Sequence, residues 1–98
     1  MSEHVNVTVR DNPGESRYEA LDESGAVAGF AKYHQRDGRV VFTHAEVDDA
    51  FEGQGVGSAL ARGSLDKVRA AGNPVVVECE FIASYIEKHP EYQDLLTR

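Results

Sequence analysis

Alternation of apolar and polar residues along the first half of the chain predicts a series of β-strands. Valines at positions 5, 7 and 9 alternate with polar residues, as on a strand with one buried face. The cluster Asp11-Asn12-Pro13-Gly14 is expected to end this strand in a turn. Asp37-Gly38 lies between two later runs and is typical of a tight hairpin turn. Four antiparallel strands are therefore predicted, over segments 5–10, 16–21, 26–36 and 39–47.

The apolar spacing becomes helical after position 55. Apolar residues of segment 56–71 fall on one half of a helix, and Gly72 followed by Asn73-Pro74 is expected to end it. The β-branched run Val75-Val76-Val77 predicts a short strand covered on both faces, which a parallel crossover joins to the fourth strand. Segments 81–88 and 91–96 also have helical spacing. These elements predict a mixed α+β (α/β) fold in one domain that spans residues 1–98.

Charge and composition narrow the range of partners. Ten basic residues against 17 acidic ones give a net charge of −7, which disfavours binding to nucleic acid or to an anionic membrane. A single cysteine and four scattered histidines argue against a disulfide and against a metal site. The sequence has no membrane-length apolar run and no signal-peptide pattern, so we expect a cytoplasmic protein.

A glycine-rich stretch, Glu52-Gly53-Gln54-Gly55-Val56-Gly57, lies between the fourth predicted strand and the first predicted helix. Glycines allow positive φ angles and close approach of a ligand to the backbone. The free N–H groups and the dipole of a helix start favour an anion such as a phosphate or pyrophosphate. The spacing fits neither the G-x-G-x-x-G dinucleotide motif nor a P-loop, which needs a lysine before its Ser or Thr. A tight turn without a ligand is the alternative interpretation.

With these motifs the chain resembles the GNAT superfamily of N-acetyltransferases. The cofactor motif of that superfamily is Arg/Gln-x-x-Gly-x-Gly/Ala, and stretch 52–57 matches it except that Glu52 replaces the first residue. Two further segments resemble a short single-domain branch of this superfamily. They are His44-Ala45-Glu46-Val47 and Cys79-Glu80-Phe81-Ile82-Ala83-Ser84-Tyr85-Ile86, which His89-Pro90 follows. The resemblance implies a GNAT-like minimal fold: four antiparallel strands, the glycine loop, a central helix, a parallel fifth strand and a C-terminal helix.

The resemblance also implies that acetyl-CoA is the cofactor. Its pyrophosphate would lie on backbone N–H groups of the glycine loop, and its pantetheine arm would run beside Glu46-Val47 like an added strand. Asp48, Asp49 and Glu52 add negative charge near the loop, which could weaken CoA binding or attract a cationic acceptor. The cofactor-binding residues expected on this basis are Val47, Gln54, Gly55, Val56, Gly57, Ser58 and Ala59.

Cys79 directly follows the fifth predicted strand, where the sheet would open toward the bound thioester. In the short branch that the chain resembles, a cysteine at this place has been proposed to take up the acetyl group as a nucleophile. Glu78 and Glu80 flank it and disfavour a thiolate, although on a strand their side chains would point to the other face. A buried structural cysteine is the other interpretation.

Three further residues are candidates for proton transfer. Glu46 suits the place of a glutamate that acts as general base in the superfamily, and His44 on the same strand face is the alternative base. Tyr85 could protonate the departing CoA thiolate, as a tyrosine does in many relatives. Each also has a structural interpretation, namely a solvated carboxylate, a partly buried histidine and a core aromatic.

The predicted activity is transfer of an acetyl group from acetyl-CoA to an amine, directly or through an acyl-Cys79 intermediate. The alternative is a CoA-binding module without turnover, because the short chain lacks the segments that shape the acceptor pocket in longer relatives. The expected partners are a CoA thioester and an amine, either a small molecule or a lysine of a protein. The expected assembly is a monomer or a weak homodimer, since a free sheet edge could pair with a second copy.

Overall fold

The computed structural model describes residues 6–51 and 53–97. Four antiparallel strands follow one another and a fifth joins the fourth in parallel, in the spatial order β1-β2-β3-β4-β5. This confirms the predicted antiparallel series and the parallel fifth strand. The elements are β1 (Thr8–Asn12), β2 (Arg17–Leu21), β3 (Val27–Arg36), β4 (Arg39–Val47), α1 (Val56–Ala70), β5 (Val75–Val77) and α2 (Glu80–Lys88), with 3₁₀ segments at Asp49–Phe51 and Pro90–Thr97.

The first strand runs further than its turn residues predicted. Asp11 and Asn12 pair with β2 as strand residues, and the turn begins only at Pro13. Their side chains have partners on other strands: the Tyr33 hydroxyl on β3 donates to the Asp11 carboxylate at 2.6 Å, and the Asn12 amide donates to Glu19 on β2 at 3.1 Å. The prediction that a turn starts at Asp11 is therefore wrong, because these tertiary contacts outweigh local turn propensity. The start of the predicted strand, up to Val5, lies outside the described residues.

The end of α1 follows the prediction, whereas β5 does not. Gly72 adopts a φ of 80°, and its N–H donates to the Arg69 carbonyl at 3.0 Å, which closes the helix. The expectation that β5 is covered on both faces is wrong. Val75 is buried, but Val76 and Val77 are only half-buried. The core formed with the helices lies on one face of the sheet, so no helix in the described part of the chain covers the other face of β5.

The core lies on one face of the sheet. Buried side chains of both helices and of the final 3₁₀ segment pack there against residues of β2, β3, β4 and β5; among them are Tyr18, Ala20, Ala31, Phe42, Leu60, Leu65, Val75, Ile82, Ile86 and Leu95. Strand pairing places a different set on the opposite face. This set, which we call the open face, contains Arg10, Arg17, Glu19, Phe30, Lys32, His44 and Glu46. Lys32, His44 and Glu46 are exposed, so this face is accessible to a partner or substrate.

Close contact between α1 and β1 depends on Gly63. A Cβ added at Gly63 would lie 2.5 Å from Cγ2 of Val9 and 2.7 Å from its Cβ. We expect Gly63→Ala to lower the free energy of unfolding by about 1–2 kcal/mol, because the overpacking outweighs the better helix propensity of alanine. Denaturant unfolding measures this difference.

Gly14→Ala is the matched control, since a Cβ there meets only the Asn12 side chain at 3.6 Å. It should change stability by less than about 0.5 kcal/mol. Adding Val9→Ala to Gly63→Ala should recover part of the loss. An unchanged stability in Gly63→Ala would contradict the tight packing.

Candidate functional site

The sheet opens into a fork where β5 stops. β5 pairs with β4 only from Val40 to Phe42, and the Glu78 N–H donates to the Phe42 carbonyl at 2.8 Å as the chain leaves the sheet. β4 continues to Val47 with β3 on one side. Its final segment therefore has a backbone edge that β5 does not cover.

Backbone direction in this segment can be read from its pairing with β3. The Asp48 N–H donates to the Ala28 carbonyl at 2.8 Å, so Asp48 faces β3. Backbone groups alternate in direction along an antiparallel strand, which turns the N–H and C=O groups of Ala45 and Val47 toward the fork. Such an edge can accept an extended ligand as an additional strand.

The glycine loop leads from the fork into the start of α1. Gly53 and Gly55 have φ angles of 79° and 80°, and Gly55 caps the helix without a side-chain hydrogen bond. Among the described residues, the N–H groups of Gly57 and Ser58 have no hydrogen-bond partner. They are donors that an anion could use. Glu52, which departs from the superfamily motif, lies outside the described residues.

Two of the predicted cofactor residues already use their backbone N–H groups. The Gln54 N–H donates to the Phe51 carbonyl at 3.3 Å, and the Ala59 N–H donates to the Gly55 carbonyl at 3.1 Å. Gly57 also has a packing role that the sequence did not indicate. A Cβ at Gly57 would lie 2.7 Å from Cζ of Phe81, so a larger residue there would displace this partly exposed ring.

Cys79 lies on the helix side of the fork. It is 7% exposed and is the N-cap residue of α2, where its side chain makes no capping hydrogen bond. Cys79 belongs to the core cluster, whereas His44 and Glu46 lie on the open face. The fold therefore places the predicted nucleophile on the core side and the two predicted bases on the open face.

His44 and Glu46 form a pair on the open face. The His44 Nε2–H donates to Glu46 Oε2 at 2.6 Å, and the two side chains are 55% and 61% exposed. The His44 ring also lies near Phe30, with the ring centroids 6.2 Å apart. The pair is accessible to an amine that approaches from this face, and its histidine can relay or stabilise a proton.

A cavity of about 220 Å³ adjoins this pair. It is lined by residues 27–30 of β3, by Glu46 and Asp48 at the end of β4, and by Arg17 of β2. The Arg17 guanidinium lies over the Phe30 ring, 4.7 Å from its centroid. Neither Arg17 nor Phe30 was a candidate from the sequence, because only strand register brings them next to Glu46.

A buried carboxylate underlies Arg17. Glu19 is 2% exposed and accepts hydrogen bonds from Arg10 Nε at 3.1 Å, Asn12 Nδ2 at 3.1 Å and Arg17 Nε at 2.8 Å. Burial alone would raise the pKa of Glu19, but these three donors outweigh burial and hold it below the usual value. This cluster could not be predicted from the sequence, since a single glutamate in a strand resembles any solvated residue.

Tyr85, like Cys79, lies on the helix side of the fork. It lines a shallow cavity of about 140 Å³ together with Ser58, Phe81, Ser84, Lys88 and His89. Its ring stacks on His89, with centroids 3.9 Å apart, and the His89 Nδ1–H donates to the Tyr85 carbonyl at 2.8 Å. Burial raises the pKa of Tyr85, so the hydroxyl is protonated at neutral pH and can act as a donor. His89, for which the sequence suggested no role, thus positions Tyr85.

The described part of the chain shows neither a metal centre nor a membrane span. In residues 6–51 and 53–97, no three His, Cys, Asp or Glu side chains are grouped so that they could hold a metal ion. None of the helices found there is long and apolar enough to cross a bilayer.

Comparison with known proteins agrees with this architecture. The chain matches the family model of GCN5-related N-acetyltransferases over residues 17–95, and no curated protein matches it. It is similar to the NMR solution structure of a GCN5-like protein from Staphylococcus aureus, with a TM-score of 0.68 and 24% identity. That alignment covers 92% of this chain and 87% of the other, so the two share a fold. The chain therefore belongs to the GCN5-related N-acetyltransferases, a family of acyltransferases.

Proposed function

We propose that the protein transfers the acetyl group of acetyl-CoA to an amine that approaches from the open face. The observation that carries this proposal is the uncovered edge of β4 beside the uncapped start of α1. An extended pantetheine arm could pair with the backbone of Ala45 and Val47. The pyrophosphate would then reach the N–H groups of Gly57 and Ser58, which supply donors without a positive side chain.

In the proposed reaction the amine nitrogen attacks the thioester carbonyl. A C–N bond forms, the C–S bond breaks, and the amine loses one proton. Glu46 accepts this proton, and His44 positions the carboxylate through their 2.6 Å hydrogen bond. Tyr85, whose hydroxyl is protonated at neutral pH, supplies a proton to the CoA thiolate as it leaves.

Direct transfer is favoured over a cysteine intermediate because of burial. Cys79 packs into the core on the helix side, whereas Tyr85 lines a cavity beside Ser58 at the start of α1 and the amine reaches the thioester from the open face. An acetyl group on Cys79 would have to leave this buried position and cross the fork to meet the same amine. Cys79 therefore has a packing role in this proposal.

The test combines CoA-thiol release with intact mass on wild type, Cys79→Ala and Cys79→Ser. A panel of small amines and a lysine peptide serves as acceptor. We expect both variants to retain activity within about threefold of wild type, because a small buried side chain contributes modestly through packing. No acetyl adduct should accumulate on Cys79.

Two results would contradict the proposal in different ways. An acetyl adduct on wild type that is absent from Cys79→Ala, together with lost turnover, would establish the cysteine route. If the protein binds CoA but releases no CoA thiol from acetyl-CoA with any amine, it is a CoA-binding module instead of an enzyme.

A further inference from the structure

The cavity beside Glu46 has opposite charges at its two ends. Glu46 and Asp48 lie at the end of β4 and Arg17 lies on β2, with Phe30 of the intervening strand β3 between them. The Glu46 carboxylate is the proposed proton acceptor, so the reacting amine must lie at the acidic end. A ligand that fills the cavity then extends along the Phe30 ring toward Arg17.

The acidic end can hold an ammonium group. One oxygen of Glu46 accepts the hydrogen bond from His44, and Oδ1 of Asp48 accepts the Ala50 N–H at 2.9 Å. Each carboxylate has a second oxygen for a ligand. Two carboxylates around one amine bind its protonated form, and Glu46 can then remove the proton.

The basic end carries an unbalanced positive charge. Arg10 and Arg17 share the single buried carboxylate of Glu19, and Arg17 uses only its Nε in that contact. In the part of the chain that the structure describes, the terminal nitrogens of Arg17 have no hydrogen-bond partner. Its side chain is 26% exposed, so the guanidinium is partly shielded from water and fixed over Phe30. A fixed guanidinium fork is suited to a carboxylate.

We infer that the amine acceptor is a free α-amino acid with an apolar side chain, bound as a zwitterion between Glu46 and Asp48 at its ammonium group and Arg17 at its carboxylate. This inference rests on the proposed acetyl transfer and names its substrate class. The apolar side chain would pack on Phe30 and on Val27, which is 37% exposed. A diamine or polyamine fits less well, because its second cation would meet Arg17.

The first experiment uses wild type alone and three amines that share the side chain of leucine. Leucine has both charges, leucinamide lacks the negative charge, and isopentylamine lacks the carboxyl group altogether. With saturating acetyl-CoA, we expect kcat/KM for leucine to exceed that for either control by about tenfold or more, as expected for one charge-assisted contact. Product is identified by mass as the N-acetyl compound.

The outcomes separate this inference from the function on which it rests. Acetylation of all three compounds with similar kcat/KM would overturn the amino-acid specificity and leave the transferase proposal standing. Acetylation of a lysine peptide but not of leucine would overturn the specificity in the same way. No acetylation of any amine, despite CoA binding, would overturn both.

A variant tests the role of Arg17 by a ratio of two substrates. Arg17→Gln should reduce the leucine-to-isopentylamine ratio of kcat/KM to near one, mainly through a higher KM for leucine. Arg17 also contacts Glu19, so the variant could be less stable. A loss of folded protein lowers both rates by the same factor, so it does not by itself change the ratio. A ratio that stays at the wild-type value in Arg17→Gln would contradict the assignment.

Discussion

Glu46→Gln is expected to lower kcat by about 10²- to 10³-fold, the usual contribution of a general base, with little change in the affinity for CoA. Glutamine preserves the size of the side chain and can still accept a hydrogen bond from His44, but it cannot take a proton from the amine. The side chain is 61% exposed, so the fold should tolerate the change. Initial rates of CoA-thiol release measure the loss.

Glu15→Gln is the matched control for Glu46, because Glu15 is exposed in the turn between β1 and β2. It should retain wild-type activity. His44→Gln should lose less activity than Glu46→Gln if the histidine only positions the carboxylate. The reverse order, with Glu46→Gln nearly active and His44→Gln inactive, would make His44 the base.

Glu19→Gln is expected to have the largest effect on stability of any single change on the open face. It removes the negative charge that Arg10 and Arg17 share and weakens three hydrogen bonds to a side chain that is only 2% exposed. We expect a loss of about 2–3 kcal/mol, below the loss on breaking a fully buried ion pair because both arginines are partly exposed. Denaturant unfolding beside Glu15→Gln measures this loss.

The same residue predicts a dependence of stability on pH. Hydrogen bonds hold the pKa of Glu19 below its usual value in the folded state, so the unfolded chain binds the proton more readily. Its contribution is complete above the unfolded pKa, about 4.3, and is lost as pH falls through the lower folded pKa. The difference in stability between wild type and Glu19→Gln should therefore shrink below about pH 4. A difference that stays constant into acid would contradict the role of the charged carboxylate.

Local pattern was sufficient to predict much of the fold. The Asp37-Gly38 turn, the period-two strands and the helical spacing after Val56 each depend on neighbours in sequence, and β4 and β5 have the predicted bounds. The errors occur where contacts with residues distant in sequence determine the local structure. Asp11 and Asn12 stay in β1 because their partners come from other strands, and β5 is an edge strand, which a three-residue apolar run cannot reveal.

Only those parts of the site that lie on a single segment of the chain could be predicted from the sequence. His44 and Glu46 are two residues apart on a strand, so their pairing on one face follows from alternation. The relation of Cys79 to that pair depends on which side of the sheet α2 occupies, and the sequence does not specify it. Arg17 and Phe30 join the site through the register of β2, β3 and β4, which is set by tertiary pairing.

The central claim is that CoA binds along the uncovered edge of β4 and at the start of α1. An NMR titration of the isotope-labelled full chain with CoA tests this claim most directly. We expect saturable shifts of the backbone amides of Val47, Gly57 and Ser58, with little change at Gly38, in the turn at the opposite end of β4, and at Gly14, in the turn between β1 and β2. Shifts confined to other surfaces would contradict the claim, as would an unchanged spectrum at millimolar CoA.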